Sequence, residues 1–251
     1  MKAVTCSVIA LAMILGTALA QTNPQANSQT NPLTNQQGKP TAKAQSKPAA
    51  AQTLAKPAER KTTVQAAKDL ASDDAAVRRM ALLWFADNGS YREAASLAPV
   101  LNDDDVANRG LAEMAMWQMW GRTGDTKFDR QYQKAVDVMS KGDLKAAIDA
   151  FSALIRVKPD LAEAWNKRAT AYFLMGEVER SLADCDEVLK RNPLHFGALA
   201  GYGQLYTQKG EYETAVDYFN RALQVNPNMQ GVRINIEALE KLIEKKRRNM
   251  T

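Results

Sequence analysis

Few side chains in this 251-residue sequence have the chemistry to act on a substrate. His195 is its single histidine, set between Pro193-Leu194 and Phe196, a context that reads as a turn between helices rather than a general base. Cys185 falls on a helical stretch facing a helix seam, which predicts a buried, inert thiol. The acidic runs Asp73-Asp74 and Asp103-Asp104-Asp105 have carboxylates enough for a weak calcium site. They lack the alternating ligands and turn glycine of an EF-hand loop, so capping of helix N-termini is their expected role. No phosphate-binding Walker loop, GxSxG elbow or dinucleotide fingerprint occurs. We therefore expect a non-enzyme, with no cofactor and no metal, whose chemistry is recognition.

The elements that would present a recognition surface follow from composition. Every aromatic lies at or after Trp84, and five of the nine prolines lie before residue 58. Charge is divided in the same way. Residues 39–61 hold six basic side chains against Glu59, and residues 241–251 hold five against Glu244, so the net charge of +5 belongs to the two ends. The body between them is acidic on balance, which argues against a nucleic-acid partner.

Residues 1–20 read as a cleavable export signal: Lys2, the apolar run 8–15, then small residues at Ala18 and Ala20. The run is short for a membrane span, and an uncleaved anchor is the alternative. Removal of residues 1–20 would take Cys6 with it and leave Cys185 alone, with no disulfide and no zinc cluster. The protein is then periplasmic or otherwise exported. Residues 21–61 form a low-complexity linker of Gln, Asn, Thr, Ala, Lys and Pro, too poor in apolar surface to fold. It serves as a solvated spacer or, in a second reading, as a polycationic arm for anionic polymer or lipid.

From Thr62 onward apolar residues recur at three and four, and Gly and Pro are read as falling between helical blocks, which predicts an all-α body. Internal repeats then organise it. Pro159, Pro193 and Pro227 are spaced by 34, as are Gly142, Gly176 and Gly210. Ala147, Ser181 and Ala215 keep the same step, and so do Phe151, Cys185 and Phe219. Glycine permits a left-handed turn between paired helices, the small residue lets them approach, and the bulky one fills the gap. Proline closes each unit.

Units of 34 residues with these positions resemble the tetratricopeptide repeat (TPR), over about half of the chain. The third unit carries Gly203, Tyr206, Gly210, Ala215, Phe219, Ala222 and Pro227; the second Trp165, Tyr172, Gly176 and Pro193. The resemblance extends to short exported bacterial TPR proteins through residues 165–170 and 195–199. It implies a right-handed α-solenoid of antiparallel helix pairs, with three units over 126–228 and a capping helix with a basic tail over 229–251. Residues 62–125 resemble HEAT-type helices instead. Leu70, Asp73, Asp74, Arg78, Met80 and Ala81 recur 31 residues later as Leu101, Asp104, Asp105, Arg109, Leu111 and Ala112. The Arg is expected to reach the preceding turn's carboxylates; a plain helical-hairpin extension of the stack is the alternative. Trp117 and Trp120 are expected to seal the junction between the arrays.

The second unit departs from the family at Arg168, where Leu is preferred, and at Cys185, where a large aromatic is. A charge in an inter-helix seam must be paired, so Asp184 or Asp186 is its expected partner, with snorkelling to solvent the alternative. The fold implies a concave groove lined by the first helix of each pair. Outward positions there are Tyr132, Val136 and Met139 in unit one, and Glu163, Asn166, Thr170 and Phe173 in unit two. Ala200, Gln204 and Thr207 complete the set in unit three. This mixture suits an extended peptide or amphipathic helix of another protein. A carboxylate clamp lacks its lysine beside Asn166. The leading expectation is a protein-interaction module, with an envelope-associated structural protein held by its basic ends as the alternative; the oligomeric state stays open.

Overall fold

The computed structural model describes residues 61–249. The expected export signal (1–20) and the linker apart from Lys61 lie outside the described residues, as do the last two positions. Of the described residues, 78% are helical and none is in a strand.

The 34-residue period is visible in the element bounds. Three second helices, α5 (Leu144–Val157), α7 (Val178–Arg191) and α9 (Tyr212–Val225), start 34 residues apart. Their partners are α4 (Thr126–Ser140), α6 (Ala162–Leu174) and α8 (Phe196–Lys209). Gly142, Gly176 and Gly210 occupy the inner turns at φ 84°, 77° and 77°, the left-handed region that a Cβ resists. Each proline sits two residues beyond a second helix, where its fixed φ and missing N–H forbid another turn. First helices of successive units also touch, α4 with α6 and α6 with α8, so the pairs stack into an α-solenoid. Helix α10 (Gln230–Arg248) caps the stack with Val232, Ile236, Leu239 and Ile243 turned inward, while Lys245 to Arg248 stay in water.

The small-then-bulky ladder packs the helices of each pair. Ala147, Ser181 and Ala215 are buried, as are Phe151, Cys185 and Phe219. At Gly203 the requirement is tightest: a Cβ there would lie 2.5 Å from the Phe219 ring. Gly203→Ala is expected to lower stability by about 2 kcal/mol, as overpacked cores do, with the helical circular dichroism signal retained. A thermal midpoint equal to that of wild type would show that the ring has room to retreat.

The upstream array is α1 (Thr63–Asp69), α2 (Ala75–Asn88), a 3₁₀ segment (Ala94–Asn102) and α3 (Val106–Trp120). Here the expected spacing of Gly and Pro fails. Pro99 stands inside the 3₁₀ segment and Gly110 inside α3, and in the repeats Gly197, Gly201 and Gly203 stand inside α8 and Gly231 inside α10. The 3₁₀ coil is short and already irregular, and the glycines of α3 and α8 sit where a neighbour approaches or a face is open. Both acidic turns cap helices: Asp74 Oδ1 accepts from the Ala76 N–H at 2.8 Å, and Asp105 Oδ1 from the Ala107 N–H at 2.8 Å.

The arginines bridge turns, though not as expected. Arg78 donates to the carbonyls of Ser72 and Asp73 in its own preceding turn, and its carboxylate partner lies in the following turn. That partner is Asp103, gripped at 2.5 and 2.8 Å, and the Arg78 hydrogen bond brings its carboxyl down to about 2. Arg109 repeats only the carbonyl contact, to Asp103.

This array does not simply lengthen the stack. It runs along the turns between units. The Tyr91 hydroxyl donates to Asp160 at 2.6 Å, Trp120 meets His195, and Asn228 Nδ2 donates to the Leu101 carbonyl at 2.8 Å. Asp160 and Asn228 are equivalent positions of the repeat and His195 stands one residue past the one between them, so the array braces three consecutive turns along one edge. One apolar core accordingly joins Leu82, Phe85 and Met116 upstream to Phe196, Phe219 and Val232.

Candidate partner-binding groove

The groove is built where α6, α8 and α3 meet. Trp117 and Trp120 project from α3 at a three-residue spacing and meet edge to face, 4.9 Å between centroids. Trp120 lies flat on the His195 imidazole at 4.0 Å, and Trp117 meets Phe196 at 5.2 Å. Position 197 must be glycine for this, because a Cβ there would stand 2.3 Å from the Trp117 ring. Both tryptophans thus join the two arrays, along the side of the repeats rather than at their end.

Beneath the indoles lies a buried polar cluster centred on Glu163. Its Oε2 accepts from His195 Nε2 at 2.8 Å and from Asn166 Nδ2 at 3.0 Å. Its Oε1 lies 3.2 Å from Lys167 Nζ and 3.5 Å from the Tyr132 hydroxyl. His195 Nδ1 accepts the Ala198 N–H at 3.1 Å as the cap of α8, so Nε2 carries the proton that reaches Glu163. Burial pushes the Glu163 carboxyl upward, but Lys167 and His195 outweigh it and hold it below the usual glutamate value. Glu163, His195 and Lys167 are 1%, 0% and 5% exposed, so this charge cluster is cut off from any soluble reactant.

The groove itself is a small recess beside this cluster, partly open to solvent. It is lined by Asn166, Thr170 and Phe173 of α6, Gln204 and Leu205 of α8, Cys185 of α7 and Trp117 of α3, and of these Asn166, Thr170, Cys185 and Leu205 are themselves buried. The Thr170 hydroxyl bonds back to the Asn166 carbonyl at 2.9 Å, so it is already satisfied within α6. Burial pushes the Cys185 thiol far above the ordinary cysteine range, with Asp184 and Asp186 adding to the effect, so it stays protonated. Among the described residues no group of His, Cys, Asp and Glu is placed to hold a metal ion, and no helix is long and apolar enough to cross a membrane.

Several expected groove positions need correction. Tyr132 and Met139 are core residues of unit one, packed with Phe128 and Ala135 against Phe151, and Val136 is half-buried in the same cluster. The face of α4 in solvent carries Gln133, Lys134 and Asp137. Tyr132, Val136 and Met139 stand 34 residues before Asn166, Thr170 and Phe173, so the register is that of α6, and Tyr132 is closed off because its ring packs against Gly121 and its hydroxyl lies against Glu163. Glu163 is buried as the hub of the cluster, and Ala200 is buried too. Asn166, Thr170, Phe173 and Gln204 do meet at one recess, though Asn166 and Thr170 are buried and only Phe173 and Gln204 are half-buried, while Thr207 is half-buried one turn beyond and bonds the Gly203 carbonyl. Nothing local in α3 tells which repeat Trp117 meets, so the sequence marks it only as a seal between the arrays.

Arg168 donates two hydrogen bonds to Asp184, at 2.8 and 2.7 Å, and a third to Ser152 at 2.9 Å. Its guanidinium lies between the rings of Trp165 and Tyr172, 5.0 and 5.8 Å from their centroids. Asp186 instead accepts from the Tyr202 hydroxyl.

Models of the tetratricopeptide repeat match residues 200–229 and 162–193, and a TPR repeat model matches 137–176. The chain carries tetratricopeptide repeats. A TPR repeat-containing protein of Rhizobium etli is 33% identical over 108 residues, which are 43% of this chain and 53% of that protein. Outer dynein arm-docking complex subunit 4 of Xenopus laevis is 26% identical over 104 residues, 41% of this chain and 20% of that one. This chain therefore spans about half, or less, of these curated relatives. Among solved structures, the first TPR domain of Spaghetti (RPAP3), bound to an HSP90 peptide, has a TM-score of 0.46 at 19% identity. That match covers 49% of this chain and 97% of the other. The upstream array lies outside the TPR matches, which begin at residue 137.

Proposed function

We propose that this TPR protein is a non-enzymatic interaction module that holds a segment of a partner protein in the recess between α6 and α8. The observation that carries the reading is the recess itself: first helices of two consecutive TPR units bring the half-buried Phe173 and Gln204 together over the buried Asn166 and Thr170. The side chains suited to chemistry support it as well. His195 caps a helix under Trp120, and Cys185 is a protonated floor residue. If residues 1–20 direct export, the module works in the periplasm or beyond it.

The variant Asn166→Ala plus Phe173→Ala removes the amide and the ring together. Pull-down from the native source with wild-type and variant protein, followed by mass spectrometry, is expected to lose the specific partner with the variant. Equal recovery of every partner by both would refute the groove assignment.

A second reading is favoured by the run Lys245-Lys246-Arg247-Arg248, which ends α10 in solvent. It makes the chain a structural protein held to anionic lipid or wall polymer by its basic ends. Attraction of that kind weakens steeply with salt. Retention on membranes that disappears in moderate salt, and with the tail deleted, would choose it.

A further inference from the structure

We infer that the outward stripe of α10 docks on an anionic lipid surface, with Ile234 and Leu242 entering the hydrocarbon boundary and Lys241 and Lys245 against the lipid phosphates. This rests on the second reading above and decides between the two surfaces it names, lipid and wall polymer.

Three observations carry it. First, α10 exposes apolar side chains where a cap needs none. A terminal helix keeps its stack soluble by turning a polar face to water, yet Ile234 is 64% exposed and Leu242 45%. Second, the charges of α10 are sorted by face. Val232, Ile236, Leu239 and Ile243 follow one another at four and three and pack inward. Ile234, Ala238, Lys241 and Lys245 keep the same rhythm on the opposite side, with Leu242 and Lys246 beside them, and all six are exposed. No acid falls on that stripe. Glu237, Glu240 and Glu244 share the next stripe round, with Arg233 and Arg247. Aliphatic side chains set among lysines, without a carboxylate, complement anionic headgroups over hydrocarbon. A soluble polyanion would satisfy the lysines and leave Ile234 and Leu242 in water. Third, no helix among the described residues is long and apolar enough to cross a membrane, so α10 lies on the surface.

An environment-sensitive fluorophore on Ala238→Cys reads contact at the middle of the stripe. The full chain is used, with Cys6→Ser, and Cys185 is buried and takes no label. The label is expected to brighten with vesicles of phosphatidylglycerol and phosphatidylcholine in equal parts. It should stay unchanged with pure phosphatidylcholine, and with long-chain polyphosphate, which has the charge without the hydrocarbon. In vesicle sedimentation, Ile234→Gln plus Leu242→Gln is expected to lose at least tenfold in affinity for the mixed vesicles and nothing for polyphosphate. Neither side chain belongs to the buried stripe, so the thermal midpoint should stay at the wild-type value. Lys241→Gln plus Lys245→Gln should weaken both interactions.

Vesicle affinity that falls with the lysine pair but not with Ile234→Gln plus Leu242→Gln would overturn the inference. Charge alone would then hold the protein, and the second reading would stand without its lipid. Brightening of the label with protein concentration, in the absence of lipid, would give the stripe to a second copy and overturn it as well. No binding to vesicles or to polyphosphate would sink the second reading together with the inference.

Discussion

Glu163→Gln is expected to cost about 3–5 kcal/mol at neutral pH, the range for removing one member of a buried ion pair. For a domain of this size that is a fall on the order of 10 °C in thermal midpoint. The change keeps the shape of the side chain, so the loss reports charge. Lys167 would be left buried without its anion, and one face of the amide would confront His195 and Asn166 as a donor against donors. Trp120 rests on His195, so its fluorescence should shift with the same variant. Adding Lys167→Met is expected to restore at least half of the lost stability, because no lone charge then remains.

The pH dependence has a definite sign. The folded-state Glu163 carboxyl is held below its ordinary value, so its stabilisation is present above the unfolded value and is lost as pH falls through the folded one. The gap between wild type and Glu163→Gln should therefore be full at pH 5 and close only in stronger acid. A midpoint within 2 °C of wild type from pH 4 to pH 8 would mean that the cluster does not hold the fold together.

How much of this was legible beforehand depends on whether a feature is local. The helix pairs were, since Gly142, Gly176 and Gly210 encode a left-handed turn and Pro159, Pro193 and Pro227 a stop, each through its own backbone chemistry. The partner of Arg168 was narrowed to two carboxylates because α6 and α7 are neighbours in sequence. The hub is not legible: the repeat pattern puts Glu163 on an open groove face, and it is buried because α3 folds back from more than forty residues upstream to cover it. Tyr132 keeps the register of Asn166, 34 residues on, and is buried because its ring packs against Gly121 at the end of α3 and its hydroxyl lies against Glu163. Tertiary contact over long separation decides such positions, and a repeat period carries no record of it.

Arg168→Met supplies the complementary experiment, with the opposite charge removed. Asp184 is 4% exposed and would keep only its burial, so a loss of about 2–3 kcal/mol is expected at pH 7.5, toward the lower end because the guanidinium retains some water. Burial already lifts the Asp184 carboxyl above the usual aspartate value, with Arg168 opposing the rise. A raised folded value means that stability is greatest below the unfolded one and is lost as pH climbs through the folded one. Removing Arg168 raises the folded value further, so the deficit should be small near pH 4 and open steadily above it. At pH 5, where Glu163→Gln already shows its full effect, Arg168→Met should show only part of its own. Denaturant midpoints at pH 4, 5 and 7.5 distinguish the two, and Arg168→Met plus Asp184→Leu should recover most of the loss. A deficit that is the same at all three values would mean that Arg168 acts through its packing between Trp165 and Tyr172 rather than through its charge.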